Sequence, residues 1–190
     1  MQLRTSIMAL AALVACAAPA VAQKFDYRLL ATMKTSTMEK ELNQAGAEGY
    51  RFGGAMGGES AAGGKDVIVV MMKNPAEPTI KQRYKLLATL KTGTLQNELK
   101  QAGDEGFEYC GQTVFESAFG GHEVVVILGR SEDSTAGRIQ YKLLATKLTS
   151  TMEKELREAG DAGFKFLSVV IGKTAFGGKE VVSILQRTEK

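Results

Sequence analysis

Apolar and polar positions follow two kinds of pattern along the chain, and the same order of patterns occurs three times. Each copy opens with a short apolar segment without glycine or proline, at residues 27–33, 84–90 and 141–147, which predicts a β-strand. In the more polar segment that follows, apolar residues recur at a spacing of four and then three: Met38, Leu42 and Ala45; Leu95, Leu99 and Ala102; Met152, Leu156 and Ala159. This spacing predicts three amphipathic helices, each burying one narrow stripe.

The predicted helices carry start and stop signals. Residues 36–39 and 150–153 have the capping-box pattern, and residues 93–96 have a weaker version of it. Glycines stand where a left-handed residue commonly ends a helix, at Gly49, Gly106 and Gly163.

Two more strands are predicted after each helix. Glycine pairs at residues 63–64, 120–121 and 177–178 precede Val-rich runs, and paired glycines suit the backbone of a tight hairpin turn. Each unit therefore has the order β-α-β-β. The glycine-rich second strand of the first unit is expected to be shorter and looser than its counterparts.

The three units are tandem copies of one sequence. Tyr27, Tyr84 and Tyr141 lie 57 residues apart, and a Leu-Leu-Ala-Thr segment begins two residues after each of them. Residues 84–132 and 141–189 agree at 26 of 49 positions without a gap. The chain is therefore predicted to be an α+β protein of three βαββ modules, each an antiparallel three-stranded sheet with one helix. The predicted boundaries are repeats at 23–74, 84–131 and 141–188, with linkers at 75–83 and 132–140.

The last strand of each module is apolar at nearly every position, in residues 67–72, 124–128 and 181–185. A sheet that is covered on one face alone should alternate apolar and polar residues, so both faces of these sheets are expected to be buried. We therefore expect the sheets to pack against each other as a compact pseudo-threefold body with the helices outside.

The first 22 residues have the parts of a secretory signal peptide. A basic start precedes an apolar stretch too short to span a bilayer, and Ala20-Val21-Ala22 is a typical cleavage site. The expected location is periplasmic or secreted, with no transmembrane segment. The alternative is processing as a lipoprotein, since residues 13–16 resemble a lipobox in which Cys16 would be lipidated and would anchor the protein in the envelope.

The charge balance and the cysteine content bear on nucleic-acid binding and on disulfide formation. Without residues 1–22 the chain has 23 basic and 21 acidic side chains, a balance that favours no nucleic-acid partner. Cys110 is then the single cysteine, so no internal disulfide is expected. We expect a buried thiol there, and an intermolecular disulfide is the alternative.

No catalytic, cofactor-binding or metal-binding residue is predicted. His122 has lysines at the equivalent positions of the other modules and is expected to be a solvated turn residue. Carboxylates do recur, at one helix position and beside the glycine pairs, and an exposed helix face and a strand edge account for them. These residues are Glu41, Glu98 and Glu155, and Asp66, Glu123 and Glu180.

Each predicted helix ends in a short motif, at residues 46–50, 103–107 and 160–164, where Gly-Ala-Glu-Gly-Tyr and its variants occur. Lys73, Arg130 and Arg187 close the last strands. With the opening Tyr strand, this resembles a small bacterial βαββ family of unknown function, although Tyr50, Phe107 and Phe164 replace its usual tryptophan. The resemblance implies a fold and no activity. The topology is also similar to that of dodecins, which bind flavins between subunits, but the flavin-stacking tryptophan is missing.

The expected function is that of an exported, non-enzymatic envelope protein, a binding or scaffolding module for an unknown partner. The first alternative is a small-molecule carrier with a pocket between modules. A hydrolase that uses the repeated carboxylates is the second alternative.

Overall fold

A computed structural model describes residues 24–59, 65–89, 91–116, 122–135, 137–146, 148–173 and 179–189. The proposed signal peptide, Cys16 and the three glycine pairs lie outside these residues.

The described chain forms nine strands and three helices, in the order strand, helix, strand, strand in each module. The helices are α1 (Thr35–Ala47), α2 (Thr92–Asp104) and α3 (Thr149–Asp161). The strands are β1 (Asp26–Thr32), β2 (Arg51–Glu59) and β3 (Lys65–Lys73) in the first module; β4 (Gln82–Ala88), β5 (Glu108–Glu116) and β6 (His122–Ser131) in the second; and β7 (Ile139–Thr146), β8 (Lys165–Lys173) and β9 (Lys179–Thr188) in the third.

Each module has its own antiparallel sheet with the last strand in the middle, in the orders β1-β3-β2, β4-β6-β5 and β7-β9-β8. This confirms the predicted α+β fold of three βαββ modules. The expectation of a short second strand in the first module was wrong, since β2, β5 and β8 each have nine residues. All three carry a β-bulge at one repeat position, which is occupied by Gly53, Cys110 and Leu167.

The helix stops agree with the sequence prediction, and the helix starts do not. Gly49, Gly106 and Gly163 have φ of 88°, 79° and 82°, the left-handed conformation that favours glycine. The helices begin one residue before the proposed capping boxes, and no side chain caps their first turns. Glu39 and Gln96, the predicted partners in those boxes, bind the next module instead.

The Gly-Ala-Glu-Gly-Tyr motif and its variants at the end of each helix have a structural role. In the first module the Arg28 guanidinium lies 4.3 Å from the centre of the Tyr50 ring, and Lys73 Nζ donates to the carbonyl of Glu48 at 2.7 Å. In the other two modules Arg130 and Arg187 donate to the carbonyls of Glu105 and Ala162. The closing cation of each module therefore binds the carbonyl-rich end of its helix, where positive charge is favoured.

The modules are arranged in series, with a helix between consecutive sheets. α1 contacts both β1 of its own module and β4 of the second, and α2 contacts β4 and β7 in the same way. The expectation that the helices lie outside the sheets was therefore wrong for α1 and α2. No comparable contact joins α3 to β1 within the described part of the chain.

Burial of both sheet faces is confirmed for the second module. Leu87 and Val126 pack with helix α2, whereas Leu86 and Val125 point to the opposite face and pack with Met38 and other residues of the first module. The same holds for the centre of the third sheet, where residues 182–185 are all buried. The first module differs, because side chains on one face of its sheet, among them Tyr27 and Leu29, are exposed among the described residues.

Candidate interaction surface

The contact of α1 with β4 shows how one module binds the next. Asn43 donates through Nδ2 to the carbonyl of Tyr84 and accepts the Tyr84 N–H through Oδ1, both at 2.9 Å. One turn earlier, Glu39 Oε2 accepts the N–H of Leu86 at 3.1 Å. β4 is an edge strand, and these helix side chains satisfy backbone groups that the sheet leaves without a partner.

The contact of α2 with β7 repeats this arrangement. Gln96, the equivalent of Glu39, donates to the carbonyl of Tyr141 at 3.0 Å and accepts the N–H of Leu143 at 2.8 Å. At the first turn of α2 the Thr92 hydroxyl donates to Glu180 of the third sheet. The helix position of Glu39 and Gln96 thus binds the same strand position at both module junctions, whereas Lys100 stands at the position of Asn43.

A tyrosine and a glycine fix the spacing at each junction. The Tyr84 hydroxyl donates to the carbonyl of Tyr50 at 3.2 Å, and the Tyr141 hydroxyl donates to the carbonyl of Phe107 at 2.9 Å. Their rings lie over helix glycines: a Cβ at Gly46 would be 3.0 Å from the Tyr84 ring and would collide with the carbonyl oxygen of Gln82. A Cβ at Gly103 would collide in the same way with the carbonyl of Ile139.

None of the residues that the structure describes covers the equivalent face of the first module. Tyr27, Leu29 and Met56 are 61%, 69% and 68% exposed, whereas Tyr84 and Leu86 at the same repeat positions are 5% and 8% exposed. The register is also the same, since Tyr27 pairs with Met72 as Tyr84 pairs with Gly129. We call the side chains of Tyr27, Leu29 and Met56 with the outer edge of β1 the open face.

The outer side of α3 is uncovered as well. Gly160 stands at the position of Gly46 and Gly103, yet a Cβ there would meet nothing within 4 Å. Glu153, the equivalent of Glu39, forms an exposed ion pair with Arg157 at 2.6 Å within the helix. The side of α3 with Glu153, Arg157 and Gly160 is called the α3 face below.

An ion pair lies near the end of α1, on the sheet face opposite to the open face, because neighbouring residues of a strand point to opposite faces. Arg28 on β1 donates to both carboxylate oxygens of Glu48, at 2.5 and 2.8 Å. This hydrogen-bonded pairing lowers the pKa of Glu48 and raises that of Arg28, so both stay charged near neutral pH. The Tyr50 hydroxyl donates to Asp26 at 2.5 Å, which raises the pKa of Tyr50.

A cleft of about 370 Å³ lies between the first and second modules. Its walls include Phe52, Tyr84 and Cys110 together with the charged side chains of Arg51 and Arg130. The volume falls in the range of ligand pockets, which begins at about 300 Å³. Burial raises the pKa of Cys110 to about 12, so its thiol is protonated, unreactive and a weak donor to the carbonyl of Glu108.

One of the repeated carboxylates, Glu180, accepts a bond from Thr92 of the preceding module and therefore connects modules. Each of Glu41, Glu98 and Glu155 has one buried carboxylate oxygen without a hydrogen-bond partner, so the expectation of a fully exposed helix position was wrong.

The described residues contain no group of three or more His, Cys, Asp or Glu side chains placed to hold a metal ion. No helix among them is long and apolar enough to cross a membrane. The side chain of His122 lies outside the described set.

The open face could not be distinguished by sequence, because Tyr27 and Leu29 stand in the same motif as Tyr84 and Leu86. The difference in exposure comes from position in the series. The sequence did carry one signal of the contacts between modules, a glycine in each helix at the repeat position of Gly46. Such a glycine marks where a neighbouring backbone approaches the helix.

A scan against family models found no match to this chain, and searches of curated proteins and of solved structures found no significant match either. The resemblance to a small bacterial βαββ family therefore stays a prediction.

Proposed function

We propose that this protein is a non-enzymatic binding or scaffolding protein of the bacterial envelope, and that it binds a protein partner through the open face. The observation that carries the proposal is the exposure of Tyr27, Leu29 and Met56 at positions that are buried or partly buried at both module junctions. Exposed apolar side chains on one face of a sheet and at its edge strands are typical of interaction sites.

The chemistry of the open face supports a protein as partner. Its outer edge carries the carbonyl of Tyr27 and the amides of Tyr27 and Leu29, and no described side chain binds them. At the junctions the equivalent groups of β4 and β7 bind the side chains of a helix. A partner that offers amide or carboxylate side chains beside a small residue fits this face.

A photo-crosslinking amino acid at residue 29 tests the proposal in cells. We expect a covalent adduct with a protein from residue 29 and none from residue 31. Ala31 is a matched control because it lies on the same strand, and Ala88 at its repeat position is exposed even at a junction. Equal or absent crosslinking at both positions would contradict the proposal.

Export is part of the proposed function and has its own test. We propose cleavage after Ala22, because Ala20-Val21-Ala22 follows an apolar stretch of signal-peptide length. Intact mass of the protein from the envelope fraction should correspond to a chain that starts at Gln23. A diacylated or triacylated Cys16 would show the lipoprotein alternative instead.

A small-molecule carrier is the second candidate, favoured by the cleft between the first two modules. Aromatic and cationic side chains line it, notably Phe52, Tyr84 and Arg130, and suit a planar anionic ligand. Chemical shift changes on titration with a planar aromatic carboxylate should then be confined to these walls. Changes at Tyr27 and Leu29 alone would argue against the carrier function.

A further inference from the structure

We propose that the partner at the open face is a second copy of this chain, whose α3 face docks there as α1 docks on β4 and α2 on β7. This inference rests on the proposed binding function of the open face. It makes the protein a head-to-tail assembling unit, because the two surfaces that meet are different and lie at opposite ends of the module series.

The first support is that the junction occurs twice inside the chain with equivalent residues. Helix positions 39 and 96 bind strand positions 86 and 143, and tyrosines 84 and 141 reach back to the residues that follow the helices. The interface between copies would continue an arrangement that is already established within one copy.

The second support is that the open face and the α3 face retain most of the residues that the junctions use, although Arg157 stands at the position of Asn43. Glu153 has the acceptor oxygens with which Glu39 binds the amide of Leu86, and the amide of Leu29 takes the place of that amide. The Tyr27 hydroxyl stands where Tyr84 and Tyr141 donate, and the carbonyl of Phe164 would accept its bond. Thr149 and Asp66 occupy the positions of the bonded pair Thr92 and Glu180.

The third support is Gly160. At the junctions the equivalent glycines are required, because a Cβ would collide with the backbone of the next strand. Within one copy Gly160 has open space around it, so none of the described residues requires a glycine there. A glycine inside a helix is less favourable than alanine by about 1 kcal/mol. A docked strand from a second copy accounts for this residue.

Two variants separate the two surfaces. Leu29→Glu places a charge on the open face, and Gly160→Leu fills the space on the α3 face. Both residues are exposed in the single chain, so both variants should keep the fold. The matched controls are Ala31→Glu on the same strand and Gly93→Leu, a helical glycine that also has open space around it.

Light scattering of the purified protein over a range of concentrations gives the test. We expect the mass of the unmodified protein and of both controls to rise to about twice the monomer mass or more, as a ring or an open chain requires. Leu29→Glu and Gly160→Leu should each stay monomeric. An equimolar mixture of the two should form a heterodimer and nothing larger, since one intact surface remains on each variant.

Other outcomes would overturn the inference. Association that persists in Gly160→Leu and is lost in Leu29→Glu would mean that two open faces bind each other. Association that persists in both variants would implicate another segment, such as residues 1–23. A monomer at every concentration, with residue 29 still crosslinking to a different protein in cells, would reject a second copy and retain the proposed binding function. If the protein stays monomeric at every concentration and residue 29 crosslinks to no protein, the proposed binding function and the second copy are both rejected.

Discussion

At the scale of single residues, position in the series decides what an identical side chain does. Tyr84 and Tyr141 are buried and hydrogen-bonded to the preceding module, whereas Tyr27 is exposed. Burial is the main cause that raises the pKa values of Tyr84 and Tyr141 well above the ordinary value for tyrosine. The same tyrosine therefore packs against the preceding module in the second and third modules, and in the first module it is exposed to a partner.

The thiol of Cys110 should react slowly while the protein is folded. Its pKa of about 12, against an ordinary 9.0, leaves very little thiolate at pH 8. Alkylation by iodoacetamide is expected to be slower than in the denatured chain by a factor on the order of 10³, since the thiolate is the reactive form. Mass spectrometry of timed samples measures both rates. Equal rates would mean that the thiol is accessible.

Alkaline pH should destabilise the protein through Tyr84 and Tyr141. Because their folded pKa values are raised, this stabilisation is complete below the unfolded value of 10.0 and is lost as the pH rises above it. Tyr84→Phe should weaken the pH dependence of the unfolding free energy above pH about 10. Urea unfolding at several pH values measures this. A pH dependence that is unchanged in Tyr84→Phe would contradict this prediction.

At the scale of helices and strands, periodicity predicted the elements well and missed the partners of the helices. The stripe with Met38 and Leu42 is buried as expected, and Gly49 ends α1 in a left-handed conformation. The capping-box prediction failed because Glu39 does not bind the start of its own helix. Its carboxylate instead accepts the N–H of Leu86 on the edge strand β4 of the next module. A sequence pattern records that Glu39 is a polar residue on a helix, but not which backbone group comes within reach after the modules pack.

Glycine substitutions in the three helices should have opposite effects. Gly46→Ala and Gly103→Ala place a methyl group against the backbone of the next strand. Each should lower the free energy of unfolding by about 1–3 kcal/mol, as overpacking does. Gly160→Ala should raise it by up to about 1 kcal/mol at dilutions where no assembly forms, because alanine favours the helix. Urea denaturation of the three variants measures the changes. A loss of stability in Gly160→Ala would show that the α3 face is not open.

At the scale of the whole molecule, the core does not follow the boundaries of the repeats. One cluster of buried residues joins Met38 and Val69 of the first module to Leu86 and Ile127 of the second. Another joins Leu99 of the second module to Ile184 of the third. The third module keeps a much smaller cluster of its own around Leu144, Ala159 and Leu185. Each module therefore depends on its neighbours for part of its hydrophobic stabilisation.

The modules should consequently unfold together, and an isolated middle repeat should not be stable. A peptide of residues 84–131 loses α1 from one sheet face and β7 from its helix, so Leu86, Val125 and Ile127 become exposed on a unit close to the size limit for independent folding. We expect it to lack a cooperative thermal transition or to self-associate. A chain of residues 24–131 is the matched control, since it keeps the whole first cluster and should melt cooperatively at a lower temperature than the full chain. Circular dichroism and calorimetry distinguish these cases. A peptide of residues 84–131 that stays monomeric and melts cooperatively would show that a module folds without the shared clusters. It would also remove the energetic reason for a helix from a second copy to cover the open face.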